Sequence, residues 1–310
     1  MIDSQPIKID SMNSTDLPPT SLILCSRNRP KLLAELVNSI LEGDELPSEI
    51  IVIDDSDSEN EYLTQLAPEP PTELRYIWNR AVGLSRANNT GVAKASHEIL
   101  VFTQDDVLVT PTWFSTIVRT LMKLGPDTVV TGRILPGEAE VPNGFAPSTI
   151  ADDTPKLYRG RIGADVLYVQ NMAIFRTLVD VVGGFDPEIG PGTPYPTAED
   201  NDFGYRLLEA GYKIYYDPTA ITYHRAWRDD EEFFSTQWNY GRGQGAYYAK
   251  HLSLKDPYML SRLARDVGYL TLRSLFRLIY QQKQAFGDMV YLSGLLSAVI
   301  RWLRTQPRQN

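Results

Sequence analysis

The sequence predicts an α/β fold with a mostly parallel central sheet flanked by helices and a C-terminal helical extension. Three observations predict it. In the first 128 residues, short continuous apolar runs alternate with amphipathic helical stretches. The connections between these segments are short, as in parallel strands joined by helices. The last 60 residues carry apolar side chains at helical spacing.

The elements of the first half follow from local patterns. SLILC at 21–25 is a continuous apolar run, typical of a strand buried on both faces. Pro30 suits the first turn of the next helix, which apolar residues at spacings of three and four extend to Leu41. The same signals predict strands at 49–55, 75–79 and 98–103 and helices at 85–95 and 113–124.

The pattern of the second half is looser. It predicts strands at 129–135, 166–171, 213–216 and 221–224, with helices at 176–182 and up to Gly211. A segment rich in glycine and proline, 187–196, precedes the second of these helices. The glycine run at 241–245 matches no phosphate-binding spacing, so it predicts a helix break or close helix packing.

Charge is distributed unevenly along the chain. The formal net charge is −9, from 30 basic and 39 acidic side chains. Residues 258–310 hold eight of the basic and only two of the acidic side chains, so the remaining 257 residues carry −15. An acidic body repels phosphates, which excludes nucleic acid as its partner, whereas the basic tail predicts contact with something anionic.

Three further observations limit the kinds of metal site and the cellular compartment. A single cysteine, Cys25, excludes an internal disulfide and a cysteine-cluster metal site. The first 20 residues are polar, without the apolar segment of a signal peptide. The longest uncharged apolar stretch near the end, 289–300, is shorter than a membrane span. We therefore expect a cytoplasmic protein that is soluble or peripheral on the inner face of the membrane.

Two predicted strands end in carboxylate pairs, Asp54-Asp55 and Asp105-Asp106. Ligands of open α/β sheets bind beyond the carboxyl ends of the strands. One such pair alone commonly caps a turn or a helix. Two pairs at one edge repel each other unless cations or donors offset their charge, and Mg²⁺ and Mn²⁺ bind carboxylate and phosphate oxygens. The pairs predict an anionic substrate bridged by a divalent ion.

A series of short motifs between residues 20 and 226 resembles the family-2 inverting glycosyltransferases. They are SRNRP at 26–30, VIDDS at 52–56, GLSRANNTG at 83–91, FTQDDV at 102–107, GGFD at 183–186, EDNDFGYRL at 199–207 and YHR at 223–225. The resemblance implies the GT-A fold. It also implies single-displacement transfer of a sugar from a nucleotide-diphosphate sugar to a hydroxyl acceptor, a glycan or a lipid-linked molecule, in polysaccharide or glycolipid synthesis.

The resemblance also implies roles for individual residues. The residues implied for the nucleotide sugar are Ser26, Arg27, Asp54, Asp55, Arg86 and Asp105. Asp106 and His224 are implied as ligands of Mn²⁺ or Mg²⁺, although Gln104 replaces the first carboxylate of the family's Asp-x-Asp motif and supplies no charge. Asp200 is implied as the general base, supported by Glu199 and Asp202. Implied acceptor-binding residues are Gly184, Phe185, Asp186 and Trp227.

The predicted domain organisation follows from these motifs. It comprises a flexible leader at 1–20, a GT-A catalytic domain at 21–228 with a nucleotide-sugar-binding half at 21–128 and an acceptor-binding half at 129–228, and a helical C-terminal region at 229–310. From residue 258 that region is basic and amphipathic, which is typical of helices lying on an anionic membrane surface. Packing on the catalytic domain, or a homodimer through these helices, explains the same pattern.

Two other functions remain open from sequence. A nucleotidyltransferase also uses a parallel sheet with acidic metal ligands, but it needs a glycine-rich loop after the first strand, where this chain has SRNRP. A non-catalytic subunit that binds sugar nucleotides or glycans is compatible with Gln104. Metal-dependent release of a nucleoside diphosphate from a donor separates these functions from glycosyl transfer.

Overall fold

A nine-stranded sheet runs through the molecule in the computed structural model, which describes residues 17–80, 83–142, 144–225 and 227–305. Most of the predicted leader therefore lies outside the described residues. The strands are β1 (Thr20–Ser26), β2 (Glu49–Asp54), β3 (Glu73–Trp78), β4 (Ile99–Gln104), β5 (Val107–Val109), β6 (Thr128–Pro136), β7 (Lys156–Arg159), β8 (Asn171–Phe175) and β9 (Lys213–His224). Their order across the sheet is β3-β2-β1-β4-β8-β6-β9-β5, and β7 pairs with β9.

The sheet is parallel through β3, β2, β1 and β4, as predicted, and mixed beyond β4. Strand β8 is antiparallel to both β4 and β6, whereas β6 and β9 are parallel. The parallel part brings the ends of β1, β2 and β4 to one edge, with Ser26 beside Asp54 and Cys25 beside Gln104. This edge holds the carboxylate pairs that the sequence identified.

Helices cover both faces of the sheet. They are α1 (Pro30–Leu41), α2 (Glu61–Gln65), α3 (Leu84–Lys94), α4 (Trp113–Leu124), α5 (Arg176–Val182), α6 (Glu199–Glu209), α7 (Glu232–His251), α8 (Tyr258–Tyr280) and α9 (Gln282–Thr305). The apolar stripes of α1 and α4 pack on one face of the sheet. Side chains of α3, α5 and α6 pack on the other face, so the body has three layers.

Three predicted strands of the second half differ from the structure. The strand predicted at 166–171 begins only at Asn171, because Leu167 and Val169 are buried in the core without joining the sheet. Alternate burial in an irregular segment gives the same sequence signal as a strand. The segments 213–216 and 221–224 are one strand, β9, whose register shifts opposite Gly132 and Arg133 of β6.

The C-terminal helices are joined to the body through close packing. The glycine run lies within α7 and does not break it. A Cβ atom on Gly241 or Gly245 would lie 2.0 or 2.2 Å from a backbone oxygen of α9, so these glycines let the two helices meet. A third apolar core links α7, α8 and α9 to Ile189 and Tyr195 of the body.

One described helix, α9, is long and apolar enough by length and composition to cross a membrane. The mean hydropathy of its 18-residue window is 1.2, and 33% of that window is buried inside the protein. Part of this helix packs on α7 at Gly241 and Gly245, and this packing explains some of its apolar side chains. This helix includes the apolar stretch that the sequence places at 289–300.

Candidate active site

A cavity of about 440 Å³ opens where β1 and β4 end. The N-termini of α3 and α6, the first half of α7 and the loop before α6 complete its walls. Gly83 and Gly192, both with positive φ, approach each other so closely that a Cβ on Gly192 would lie 2.7 Å from the Gly83 Cα. The segment 187–196 is thereby held against α3, and it closes one side of the cavity.

The carboxylates after β2 face different surroundings. Asp54 is satisfied within the protein, because it accepts hydrogen bonds from Ser56 and from the Tyr76 hydroxyl. Asp55 lines the cavity, and its Oδ1 atom is buried without a hydrogen-bond partner among the described residues. Burial raises the pKa of Asp55 to about 6. Of this pair, Asp55 is therefore the one available to a ligand donor such as a nucleobase or a ribose hydroxyl.

Asp105 forms part of a buried cluster at the end of β4. Its Oδ2 accepts a 2.7 Å hydrogen bond from the Ser26 hydroxyl, and its Oδ1 accepts one of 2.9 Å from Arg29 Nη1. The same Nη1 atom donates to Asp106 Oδ2 at 2.8 Å. Burial and the charge of Asp106 raise the pKa of Asp105, against the opposing effect of Arg29. Arg29 thus bridges the two carboxylates.

Asp106 and His224 form a site that fits a metal ion. His224 Nδ1 lies 2.8 Å from the Pro147 carbonyl oxygen, which only accepts, so Nδ1 carries the proton and Nε2 has a free lone pair. That Nε2 atom lies 3.5 Å from Asp106 Oδ1, an oxygen without a hydrogen-bond partner among the described residues. Burial raises the pKa of Asp106, but the charge and hydrogen bond of Arg29 help to hold it below the usual range.

Glu199 and Asp200 begin α6 and line the same cavity. Ala198 before them adopts a left-handed conformation, with φ of 73°, and this turns the chain into the helix. Asp200 Oδ1 accepts a 2.8 Å hydrogen bond from the Asn201 N–H. Burial raises the pKa of both carboxyls, and the charge of Asp200 adds to the shift at Glu199. A carboxylate with a raised pKa is suited to take up a proton.

A family model covers the part of the chain that contains Asp55, Asp105 and Asp106. The model of glycosyl transferase family 2 matches residues 21–180, more than half of the chain. This chain belongs to glycosyl transferase family 2. The match confirms the resemblance that the motifs carried.

Two curated relatives of this family-2 chain are similar over part of its length. A pre-mycofactocin glycosyltransferase of Mycobacterium tuberculosis is 25% identical over 190 residues, 58% of this chain and 38% of that protein. An uncharacterized glycosyltransferase of Nostoc sp. is 30% identical over 88 residues, 28% of this chain and 27% of that protein. The matches thus span well under half the length of either relative.

Two solved structures share the fold of this family-2 chain. The mannosyltransferase PcManGT from Pyrobaculum calidifontis, in complex with GDP-Man and Mn²⁺, gives a TM-score of 0.62 at 16% identity and covers 98% of this chain and 92% of that one. GalNAc-T7, with UDP, GalNAc and Mn²⁺, gives a TM-score of 0.54 at 16% identity and covers 93% of this chain and 58% of that one. The chain therefore has the GT-A fold, as predicted.

Several residues that the family resemblance implied for the site lie outside the cavity. Arg86 is exposed on α3 and donates to the Pro187 carbonyl oxygen. Asp202 is fully buried behind Asp200, where Arg206, Lys250 and His251 bind its carboxylate. Neither side chain lines the cavity, and their implied roles stay predictions. Arg27, by contrast, lines the cavity as expected.

The GGFD motif also lies outside the cavity. Phe185 is a core residue, stacked on Phe203 with ring centroids 4.5 Å apart. Gly184 packs against the side chain of Asn89, and Asp186 forms a 2.6 Å ion pair with Lys250. That these three residues bind the acceptor stays a prediction. Trp227 does not line the cavity either, although its neighbour Arg228 does.

The structure adds cavity residues that the sequence did not single out for this site. They are Pro147, Ser148, Tyr168, Gln170, Thr236 and Asn239. Most lie in irregular segments or on a helix remote in sequence, so no motif or spacing marks them. Tyr240 also lines the cavity, and its hydroxyl forms a 2.7 Å hydrogen bond with the Ser148 hydroxyl.

Proposed function

We propose that this chain is an inverting glycosyltransferase that moves a sugar from a nucleotide-diphosphate sugar to a hydroxyl acceptor. The observation that carries the proposal is the arrangement of one cavity. A half-buried carboxylate with a raised pKa, Asp200, lines it together with the Asp105-Asp106-His224 cluster. Single displacement needs a base on the acceptor side and charge compensation on the side of the leaving group.

The donor binds at the ends of β1, β2 and β4 in this proposal. Asp55, with its unpartnered oxygen, accepts a hydrogen bond from the nucleobase or ribose. Arg27 and Arg228 line the same cavity and compensate the charge of the diphosphate. The acidic surroundings make such local cations necessary, because carboxylates alone repel a diphosphate. The two solved structures with the same fold were determined with GDP-Man or UDP, and we extend that class of donor to this chain.

Asp106 and His224 would hold a divalent ion, Mn²⁺ or Mg²⁺, in this mechanism. Such an ion would supply positive charge where negative charge grows on the leaving diphosphate. His224 would use Nε2, because Nδ1 contacts the Pro147 carbonyl oxygen, and Asp106 would use its unpartnered Oδ1 atom. Ser26 and Arg29 keep Asp105 oriented beside them.

Asp200 takes the proton from the acceptor hydroxyl as it attacks the anomeric carbon. Its position at the start of α6 stabilises the ionised form, while burial raises its affinity for the proton. Glu199, the buried neighbour whose pKa is also raised, supports Asp200 in this proposal. Tyr168 and Tyr240 line the cavity and offer aromatic faces for an acceptor sugar ring.

The acceptor in this proposal is a glycan or lipid-linked molecule, used in polysaccharide or glycolipid synthesis at the cytoplasmic face of a membrane. Large apolar side chains support this membrane location. They form what we call the apolar tip: Leu272, Leu275, Phe276, Ile279 and Tyr280 of α8 and Phe286 of α9, each more than half exposed. Gly287, next to the tip, packs on Phe233 near the cavity-lining end of α7. A membrane bound at the tip therefore lies near the cavity, as a lipid-linked acceptor requires.

The catalytic proposal is tested by donor turnover in the full chain. Wild type with Mn²⁺ should release a nucleoside diphosphate from at least one UDP- or GDP-sugar. Asp200→Asn should lower turnover by about 100-fold or more, because it removes the base, while nucleotide binding stays within about twofold. Nucleoside diphosphate release and calorimetric binding are the measurements.

Glu209→Gln is the matched control, because it changes an exposed carboxylate at the other end of α6. It should keep wild-type turnover. Substantial turnover in Asp200→Asn would refute the role of this residue. Nucleotide binding without any donor turnover would favour the non-catalytic subunit. Pyrophosphate release from a nucleoside triphosphate and a sugar phosphate would favour a nucleotidyltransferase.

A further inference from the structure

Arg29 forms ion pairs with Asp105 and with Asp106, the carboxylate of the proposed metal site. Its Nη1 atom donates to Asp105 Oδ1 at 2.9 Å and to Asp106 Oδ2 at 2.8 Å. Both carboxylates are at least 93% buried, whereas 38% of the Arg29 side chain is exposed, so solvent screens this pairing in part. Arg29 leaves the other oxygen of Asp106, Oδ1, for His224 and an ion. A fixed protein cation is thus already present beside the place of a divalent one.

The local charge and ligand count are both low for a divalent ion. Gln104, at the position of the family's first carboxylate, adds no charge, and Arg29 offsets one of the two carboxylates. Within the described part of the chain no group of three or more His, Cys, Asp or Glu side chains comes together to hold a metal. Asp106 and His224 therefore leave most positions of a six-coordinate ion to ligands other than side chains of this kind.

We propose that Arg29 keeps the affinity of this site for a free divalent ion low, so that the ion binds firmly only together with a nucleoside diphosphate. Phosphate oxygens then supply both the missing ligands and the missing negative charge. Arg29 acts as a positioning residue: it fixes the two carboxylates and repels an ion that arrives without the nucleotide. The inference rests on the proposed function, since it takes Asp106 and His224 as the metal ligands.

The test measures Mn²⁺ affinity of the full chain, from the electron paramagnetic resonance signal of free Mn²⁺, without nucleotide and with saturating UDP or GDP. For wild type, the better nucleotide should raise Mn²⁺ affinity by about tenfold or more. Arg29→Met and Arg29→Gln should bind Mn²⁺ alone about tenfold more tightly than wild type, because a charge next to the ligand carboxylate is removed. The added effect of the nucleotide should shrink accordingly.

Arg29→Lys is the conservative control, since it keeps the charge and should keep the weak binding of Mn²⁺ alone. Arg27→Met removes a cation of the same cavity for which the described residues show no ion pair with Asp105 or Asp106. It should change the affinity for Mn²⁺ alone by less than about twofold. Thermal unfolding checks that each variant is folded.

Two results would overturn the proposal. One is tight Mn²⁺ binding by wild type without nucleotide, a result that can be measured without any variant. The other is unchanged or weaker binding of Mn²⁺ alone by folded Arg29→Met and Arg29→Gln. If wild type binds no Mn²⁺ even with nucleotide, the metal site of the proposed function fails as well. Turnover of a donor with Mn²⁺ in the assay described above distinguishes that failure from a failure of Arg29 alone.

Discussion

Neighbouring carboxylates in this chain have opposite surroundings because side-chain direction reverses within one or two residues. Asp54 is bonded to Ser56 and Tyr76, whereas Asp55 keeps an unpartnered oxygen at the cavity. In α6, Asp200 lines the cavity. Asp202, two residues on, faces the other side of the helix and three basic side chains. The number of charges does not distinguish these roles, whereas the contacts of each side chain do.

Asp202 should contribute to stability more than to catalysis. Removing the charge with Asp202→Asn leaves Lys250, His251 and Arg206 without their buried partner, so the free energy of unfolding should fall by about 3 kcal/mol near pH 7. Burial opposes the charge of Asp202, but His251, Arg206 and Lys250 outweigh it and lower its pKa. Urea unfolding is the measurement.

The sign of the pH dependence follows from that lowered pKa. The stabilisation is present above the unfolded pKa of Asp, about 4, and is lost as the pH falls through the folded value. The difference between wild type and Asp202→Asn should therefore shrink in acid. Asp180→Asn, an exposed change on α5, should cost less than about 0.5 kcal/mol. A stable Asp202→Asn protein with lost turnover would contradict this structural role.

At the scale of elements, the contact between α7 and α9 joins the C-terminal helices to the active site. Glycines at 241 and 245 let the helix backbones approach, and the first half of α7 supplies Thr236, Asn239 and Tyr240 to the cavity. Gly243 faces the other way, where a Cβ would lie 2.0 Å from the Thr197 hydroxyl in the segment before α6. The helical region is therefore part of the cavity wall.

Gly245→Ala should destabilise the protein although alanine favours helix. The helix propensity of alanine is worth about 1 kcal/mol, but the new Cβ would lie 2.2 Å from the Leu295 carbonyl oxygen. Overpacking of this kind costs about 1–3 kcal/mol, so the net free energy of unfolding should fall by up to about 2 kcal/mol. Thermal unfolding measures the change.

Gly268→Ala provides the matched control for that substitution. Gly268 is also a helical glycine, in α8, and a Cβ there would meet nothing within 4 Å. Its replacement should therefore raise stability by about 0.5–1 kcal/mol. Equal stabilisation by both substitutions would show that α7 and α9 do not pack as closely as described.

At the scale of the whole molecule, the basic tail is less available to a partner than its net charge indicates. Arg273 and Arg277 both bind Asp288, and Arg262 binds Asp165 in the body. Lys283 lies 2.5 Å from Asp230. These internal pairs weaken electrostatic attraction to an anionic surface, whereas the apolar tip stays exposed. A membrane contact here depends on apolar insertion more than on charge.

Vesicle flotation tests this contact. The full chain should float with neutral vesicles nearly as well as with anionic ones. Phe276→Ser combined with Ile279→Ser should lower partitioning by about tenfold or more, because two large apolar side chains are lost from the tip. Leu254→Ser is the control, since Leu254 is a fully exposed leucine outside the tip. Flotation only with anionic vesicles would contradict apolar insertion.

Analytical ultracentrifugation of the same variants examines the homodimer that the sequence also allowed. A wild-type dimer that the Phe276→Ser and Ile279→Ser changes dissociate, together with no flotation, would make a second copy of the chain the partner of the tip. A monomer that floats supports the membrane. Both outcomes use the same proteins and buffers, so they are directly comparable.

Local sequence determined the elements and the order of the motifs. Apolar runs and helical spacing fixed β1, β2, β4, α1 and α4 nearly to the residue, because burial on a sheet face or helix stripe leaves a periodic pattern. The motif order identified the family. It also indicated five candidate site residues that all line one cavity: Asp55, Asp105, Asp106, Asp200 and His224. Structure that depends on residues close together in the sequence can be predicted from the sequence alone.

Only the tertiary structure decided which of the predicted residues face the cavity. It directed Arg86, Asp202 and Phe185 into other contacts. It brought Arg29 onto Asp105 and Asp106, about 76 residues away in sequence. Such contacts depend on how strands and helices are oriented relative to one another, and neither residue type nor spacing along the chain records that orientation.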